Sequence, residues 1–164
     1  MPVDSDAIVA YIPNLRRYAR ALAGERHAAD DLVQDTLERA MRKFHLWRPG
    51  DLRAWLFSIM HNVFINQLRS KRNQPTDELG EYAGAGTPEW VTDAHDLERG
   101  LAGLPPEQRE VVLMVSLEDM SYEEVSRALG IPIGTVMSRL SRGREKLRRH
   151  MDGEGTRPNL KAVP

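Results

Sequence analysis

The chain has 164 residues, 41% hydrophobic and 29% charged, a globular composition long enough for one ordinary domain or two small ones. Its 23 lysines and arginines almost balance 24 aspartates and glutamates, and the net charge of −1 argues against a uniformly basic surface. It contains no cysteine, which excludes disulfide staples, thiolate metal centres and cysteine nucleophiles.

The start, MPVDSDAIVA, has acidic residues early and no long apolar core, unlike a secretory signal. The apolar run Val111–Leu117 is interrupted by Ser116 and falls far short of the roughly 18 residues that span a bilayer. A soluble cytoplasmic protein without membrane insertion is expected. Ile8, Ile12, Leu15, Ala19 and Leu22 recur at helical spacing and predict a first helix over 5–23, with Gly24 as its stop. Leu32, Val33, Thr36, Leu37, Ala40 and Phe44 predict a second over 28–44. Pro49-Gly50 breaks the chain, and Asp51 is a candidate N-cap for a third helix over 52–71. Residues 73–90, NQPTDELGEYAGAGTPEW, lack apolar periodicity and read as a linker.

Helical patterning resumes near Thr92 with Leu97, Leu101 and Leu104. Pro105-Pro106 opens a helix over 106–117. Ser121 and Glu124 form a capping box for a helix over 122–129, ended by Gly130. Ile131-Pro132-Ile133-Gly134 reads as a short turn, with Thr135 a candidate cap for a last helix reaching His150. The tail from 151 to 164 reads as disordered. The expected fold is therefore all-α: two small helical domains, residues 1–72 and 92–150, joined by a flexible acidic linker over 73–91.

Charge follows this division. Residues 1–72 sum to +4, 73–99 to −6 and 100–150 to +1. An acidic segment thus masks two mildly basic helical stretches, 1–72 and 100–150. Within the second, the short helix, glycine turn and following helix form a helix-turn-helix pattern, with Val125, Leu129, Ile131, Val136 and Leu140 at the positions that wedge the helices together. From 138 to 149 the last helix carries six basic residues against one acid, Glu145. Small polar residues and arginine near the start of such a helix reach base edges in the major groove, and later cations meet phosphates.

Two further clusters stand out. In the second helix Asp31, Gln34, Asp35 and Glu38 share the face away from Leu32, Val33 and Leu37, which suits a basic protein partner; helix-dipole stabilisation by early acids is the plainer reading of the residues alone. The third helix sets Trp55, Phe57 and Phe64 among His61, Asn62, Asn66, Gln67 and Arg69. Aromatic faces, amides and cations together suit single-stranded nucleic acid, although the aromatics also stand at core spacing.

In ADDLVQDTLERA (29–40), LRAWLFSIMHNVFINQLR (52–69), LPPEQREVVLM (104–114) and SYEEVSRALGIPIGTVMSRLSRGREKLRR (121–149), the chain resembles bacterial RNA polymerase sigma factors of the small extracytoplasmic-function group. The resemblance covers residues 8–150. It implies a sigma region two-like domain of three to four helices that docks on the beta-prime clamp of core RNA polymerase through Asp31, Gln34, Asp35 and Glu38. It places Trp47, Arg48, Asn62, Asn66 and Arg69 in recognition and melting of the minus-ten element. It implies a region four-like helix-turn-helix domain that reads the minus-thirty-five element. There Thr135, Met137, Ser138, Ser141 and Arg142 fall on the DNA side, with Arg139, Arg144 and Arg148 as phosphate contacts. The linker would run towards polymerase channels that include the beta subunit. An anti-sigma factor is a further implied partner.

Several relatives have arginine where this chain has Met137, which cannot make a bidentate bond to guanine. No catalytic residues, metal site or cofactor are expected. His27, His45, His61, His95 and His150 are scattered, and no Gly-rich phosphate loop is present. The alternative is a conventional helix-turn-helix repressor or activator acting without polymerase.

Overall fold

The computed structural model describes residues 5–47, 50–73 and 92–153. Among these, all regular structure is helical: α1 (Ser5–Ala10), α2 (Ile12–Ala23), α3 (Arg26–Lys43), a 3-10 turn (Phe44–Leu46), α4 (Leu52–Asn73), α5 (Thr92–Ala102), α6 (Pro106–Ser116), α7 (Tyr122–Leu129) and α8 (Ile133–Met151). Of the linker predicted over 73–91, Asn73 is the last residue of α4; 74–91, the tail from 154, Arg48 and Pro49 lie outside the described residues.

The predicted first helix is two. Pro13 sits in the first turn of α2, where its missing N–H is harmless, but it could not continue a helix from α1. The break falls at Tyr11, whose N–H bonds back to Ile8 O at 2.9 Å. Three other boundaries follow their local chemistry. Asp51 Oδ1 accepts the Ala54 N–H at 3.0 Å and opens α4. Ser121 Oγ accepts the Glu124 N–H at 3.1 Å, and the Glu124 carboxylate returns to the Ser121 N–H, so the capping box of α7 is formed. Gly130 ends α7 at φ 66°, the left-handed geometry that glycine adopts without a Cβ clash.

The start of α8 corrects the sequence reading. Its cap is Pro132, in extended conformation, and the helix begins at Ile133. Thr135 is already inside the first turn and donates its N–H to Pro132 O at 3.0 Å. Proline needs no N–H at a helix start, and Gly134 is exposed, so the predicted Pro-Gly turn is instead a helix entrance.

In the first half α2, α3 and α4 pack together around Leu15, Tyr18, Leu22, Leu32, Leu56, Phe57 and Met60, all essentially inaccessible. Fully burying each such side chain contributes about 1.5–3 kcal/mol. In the second half α8 packs on α5, α6 and α7. Gly143 makes the α6–α8 crossing possible, because a Cβ there would stand 2.6 Å from Val112 Cγ2. The halves also pack on each other, α4 against α7 and α2 against α5 and α6, and their buried apolar residues form one continuous core. Each half is small for an independent core, and here each supplies the other's missing wall. Among the described residues no helix is long and apolar enough to cross a membrane.

Candidate nucleic-acid interface

α7 and α8 form the helix-turn-helix. Val125, Leu129, Val136 and Leu140 are buried between them, and Ser126 Oγ donates to Ile131 O at 2.5 Å, tying the turn to α7. With Val136, Leu140, Gly143 and Leu147 facing inward, the 3.6-residue period puts Ser138 and Ser141 near the crest of α8. Arg139, Arg142 and Lys146 fall on one flank, and Met137, Arg144 and Arg148 on the other. Met137, Ser138, Ser141 and Arg142 are exposed, Met137 at 52%.

The remaining predicted α8 residues diverge. Thr135 is half-buried and accepts the Ser138 hydroxyl on its carbonyl at 3.2 Å. Arg139 is half-buried, and its charge acts on Glu110 of α6. Arg144 lines a cleft of about 810 Å³ bounded by α2, α5, α6 and α8. Arg148 pairs within its own helix, with Glu145 at 2.8 Å and Asp152 at 3.1 Å. The Arg148 bond, with Arg149 beside it, holds the Glu145 carboxyl below its ordinary value.

On α3, Asp31, Gln34, Asp35 and Glu38 are all exposed and fall on successive turns of one stripe. Asp31 lies 3.7 Å from His27 and Glu38 lies 2.6 Å from Arg42, both on the same helix. The stripe therefore points outward, away from the core built by Leu32 and Val33.

On α4, Asn62, Asn66 and Arg69 are exposed and follow i, i+4, i+7 spacing. The aromatics divide. Phe57 and Phe64 are buried, and Phe57 meets Tyr18 edge to face at 4.9 Å. Trp47 and Trp55 are half-buried around Phe44, at 5.3 and 6.0 Å. Trp47 thus stands at the edge of the core beside the loop that leads into α4.

The structure adds charged pairings that local patterns did not mark. Arg17 donates to Glu118 at 2.8 Å, and Arg53 grips both carboxylate oxygens of Glu124 at 2.7 and 2.9 Å. Arg127 donates to Asp51 at 2.9 Å, and His61 Nδ1 lies 2.7 Å from Glu110 Oε1. Each pair joins the first half of the chain to the second. Burial pushes the Glu110 carboxyl above its ordinary value, with His61 and Arg139 opposing. Burial also acts to raise Asp51, but the Ala54 N–H and the Arg127 guanidinium outweigh it and hold it low.

Arg109 gathers several segments at once. Its guanidinium donates to the carbonyls of Leu22, Leu101, Ala102 and Leu104 at 2.8–3.1 Å. It so caps the C-terminal ends of α2 and α5, where a cation also complements the helix dipole.

Both halves of the chain are similar to known proteins. Residues 8–61 match the model described as Sigma2 domain of PhyR, and residues 94–147 match Sigma-70, region 4. The chain is 38% identical over 147 residues to the ECF RNA polymerase sigma factor EcfG of Rhodopseudomonas palustris, covering 87% of this chain and 81% of that protein. It is 33% identical over 160 residues to the ECF RNA polymerase sigma factor SigE of Mycolicibacterium smegmatis, covering 92% of this chain and 62% of that one. In architecture it is similar to the sigma factor RpoE of Bartonella quintana, solved with the anti-sigma factor NepR, at a TM-score of 0.74 and 29% identity over 93% of this chain and 98% of that one. The two matched segments fall in the two halves that α1–α4 and α5–α8 build, in the same order along the chain. The chain belongs to the ECF RNA polymerase sigma factors.

Proposed function

We propose that this chain directs core RNA polymerase to promoters through three surfaces. The exposed stripe Asp31, Gln34, Asp35 and Glu38 grips the beta-prime clamp. Trp47, Arg48, Asn62, Asn66 and Arg69 read and open the minus-ten element. The crest and outer flank of α8, centred on Ser138, Ser141 and Arg142, read the minus-thirty-five element. Met137 adds an apolar contact, and Thr135, Arg139, Arg144 and Arg148 supply support and phosphate contacts. Residues 1–72 then form the docking and melting domain and 92–150 the upstream reader, with 73–91 threading towards the beta subunit.

No chemistry is catalysed by the chain itself in this reading. Flipping a base out of the duplex costs a few kcal/mol, which pockets on α4 and the loop before it offset with binding energy. Two weak readers held on one polymerase act at high effective concentration, so promoter spacing becomes part of specificity. The chain works in the cytoplasm, and an anti-sigma factor is its regulator. The NepR complex of the Bartonella protein supports that partner.

The observation that carries the reading is the pairing, on one chain, of an exposed acidic stripe on α3 with an exposed polar crest on α8. A regulator acting alone uses the second and has no role for the first. Asp35→Arg should abolish co-purification with core polymerase and promoter-dependent transcription in vitro, while the circular dichroism spectrum stays unchanged. Full retention of polymerase by that variant, with tight binding of duplex DNA in its absence, would establish the repressor or activator reading instead.

A further inference from the structure

Two helix N-termini meet where the halves of the chain touch, and each is capped by an acid that the other helix grips. Asp51 caps α4 through Oδ1 on the Ala54 N–H, and its Oδ2 accepts from Arg127 of α7. Glu124 closes the capping box of α7, and its carboxylate accepts two bonds from Arg53 of α4. Arg53 also donates to Glu118 O at 3.2 Å. The exchange is reciprocal: α4 lends an arginine to the cap of α7, and α7 lends one to the cap of α4.

The arrangement has an electrostatic logic. Helix N-termini carry partial positive charge, so two of them beside two arginines repel unless carboxylates stand between. Asp51 and Glu124 supply these, and they retain their capping bonds whether or not the helices touch. The arginines lose their partners and return to water when the halves part. The clasp therefore discriminates between a closed chain and an open one without altering either helix.

Closure matters for the function proposed above, on which this inference rests. α7 packs directly on both α4 and α8. At 8–10 Å per packed helix pair, α4 and α8 lie within roughly 20 Å of each other. The two promoter elements are about 25 base pairs apart, or about 85 Å at 3.4 Å per pair. The closed chain cannot touch both.

We propose that the reciprocal clasp of Asp51, Arg53, Glu124 and Arg127 is a latch that holds the chain closed, and that polymerase binds the form in which it is released. The apparent affinity for polymerase is then lowered by the fraction of chains that are open. Arg53 and Glu124 are the stronger pair, with side chains 25% and 17% exposed, and Arg127 at 58% is the weaker member. The arginine charges are compensated only in the closed form, so high salt weakens the latch.

The test uses the full chain carrying Arg53→Ala and Arg127→Ala, which leaves both capping acids in place. Because the chain has no cysteine, Met41→Cys on α3 and Met151→Cys on α8, both exposed, accept spin labels uniquely. Pulsed dipolar spectroscopy should give a narrow, short distance for the parent. It should give a broad, longer distribution for the double variant, with core polymerase bound about tenfold more tightly. Arg127→Ala alone, at an exposed position that does not threaten the fold, should move both readouts in the same direction by less. Unchanged distances in both variants overturn the clasp. Longer distances with unchanged polymerase affinity overturn its role as a latch and leave the polymerase reading intact. Failure of the unlabelled parent to bind polymerase overturns the functional reading, whatever the distances.

Discussion

α4 and α8 are the two longest helices among the described residues, and both carry residues proposed above to meet DNA, yet they are built on opposite plans. α4 buries Leu52, Ala54, Leu56, Phe57, Ile59, Met60, Val63 and Phe64, so apolar contact surrounds much of its first half. Its exposed polar stripe is narrow and includes Asn62, Asn66 and Arg69. α8 buries only Val136, Leu140 and Gly143 and leaves a broad polar arc. One helix is a structural post with a thin working edge, and the other is a working surface held by a thin structural seam. Substitutions in α4 should therefore trade mostly in stability, and those in α8 mostly in recognition.

The sharpest break of that contrast is Phe57→Ala. It should cost about 3–5 kcal/mol of folding free energy, read by urea denaturation, because it removes a fully buried ring and its edge contact with Tyr18. Ser141→Ala on α8 should stay within about 0.5 kcal/mol in the same assay. Next in size is the one place where α8 behaves like α4. Gly143→Ala should lower stability by about 1–3 kcal/mol despite the better helix propensity of alanine, since the new methyl would meet Val112. A stabilised variant would show that the α6–α8 crossing can relax.

Arg142→Ala should leave the melting temperature unchanged and reduce discrimination at one base position by about 1–3 kcal/mol, measured by binding of the holoenzyme to a promoter library. A uniform loss over all sequences would make Arg142 a phosphate contact. The smallest effect belongs behind α4. Tyr18 is fully buried with its hydroxyl unpartnered, and burial together with nearby Glu110 and Glu118 keeps its phenol far above the ordinary pKa. Tyr18→Phe should raise stability by about 1 kcal/mol in denaturant unfolding, because an unsatisfied polar group is removed at constant shape.

The helices themselves were legible because their signals are local. Ser121 with Glu124, Gly130, and Asp51 before α4 each act within a few residues, and each behaves as its chemistry dictates. Two local readings went astray where proline has two uses. Pro13 divides a periodic apolar stripe that looks continuous, and Pro132 starts a helix where Pro-Gly suggests a turn. The polar stripes of α3 and α4 were legible for the same reason, as helical spacing alone puts their members on one face.

What the sequence concealed is everything that joins the halves. Arg17–Glu118, Arg53–Glu124, Asp51–Arg127 and His61–Glu110 bring together residues 49 to 101 positions apart. Periodicity carries no information at that range: Asp51 and Glu124 read only as local caps and His61 only as part of its own helix, while Arg17, Arg53, Glu110, Glu118 and Arg127 carried no local signal. The segment sums showed two mildly basic stretches, 1–72 and 100–150, separated by acid. They could not show that acids inside the second domain, Glu118 and Glu124, answer arginines of the first.

Arg109 has a consequence for biosynthesis. Its bond to Leu22 O spans 87 positions, so the end of α2 waits for a residue made long after it. At about 5–20 residues per second, the ribosome needs on the order of a few seconds to proceed from the end of α4 to Arg109. During that interval the nascent first half is complete in sequence but lacks the wall that α5, α6 and α7 supply. The apolar sides of α2 and α4 are then bare, which makes this the window in which a chaperone, or a neighbouring nascent chain, competes with the protein's own second half.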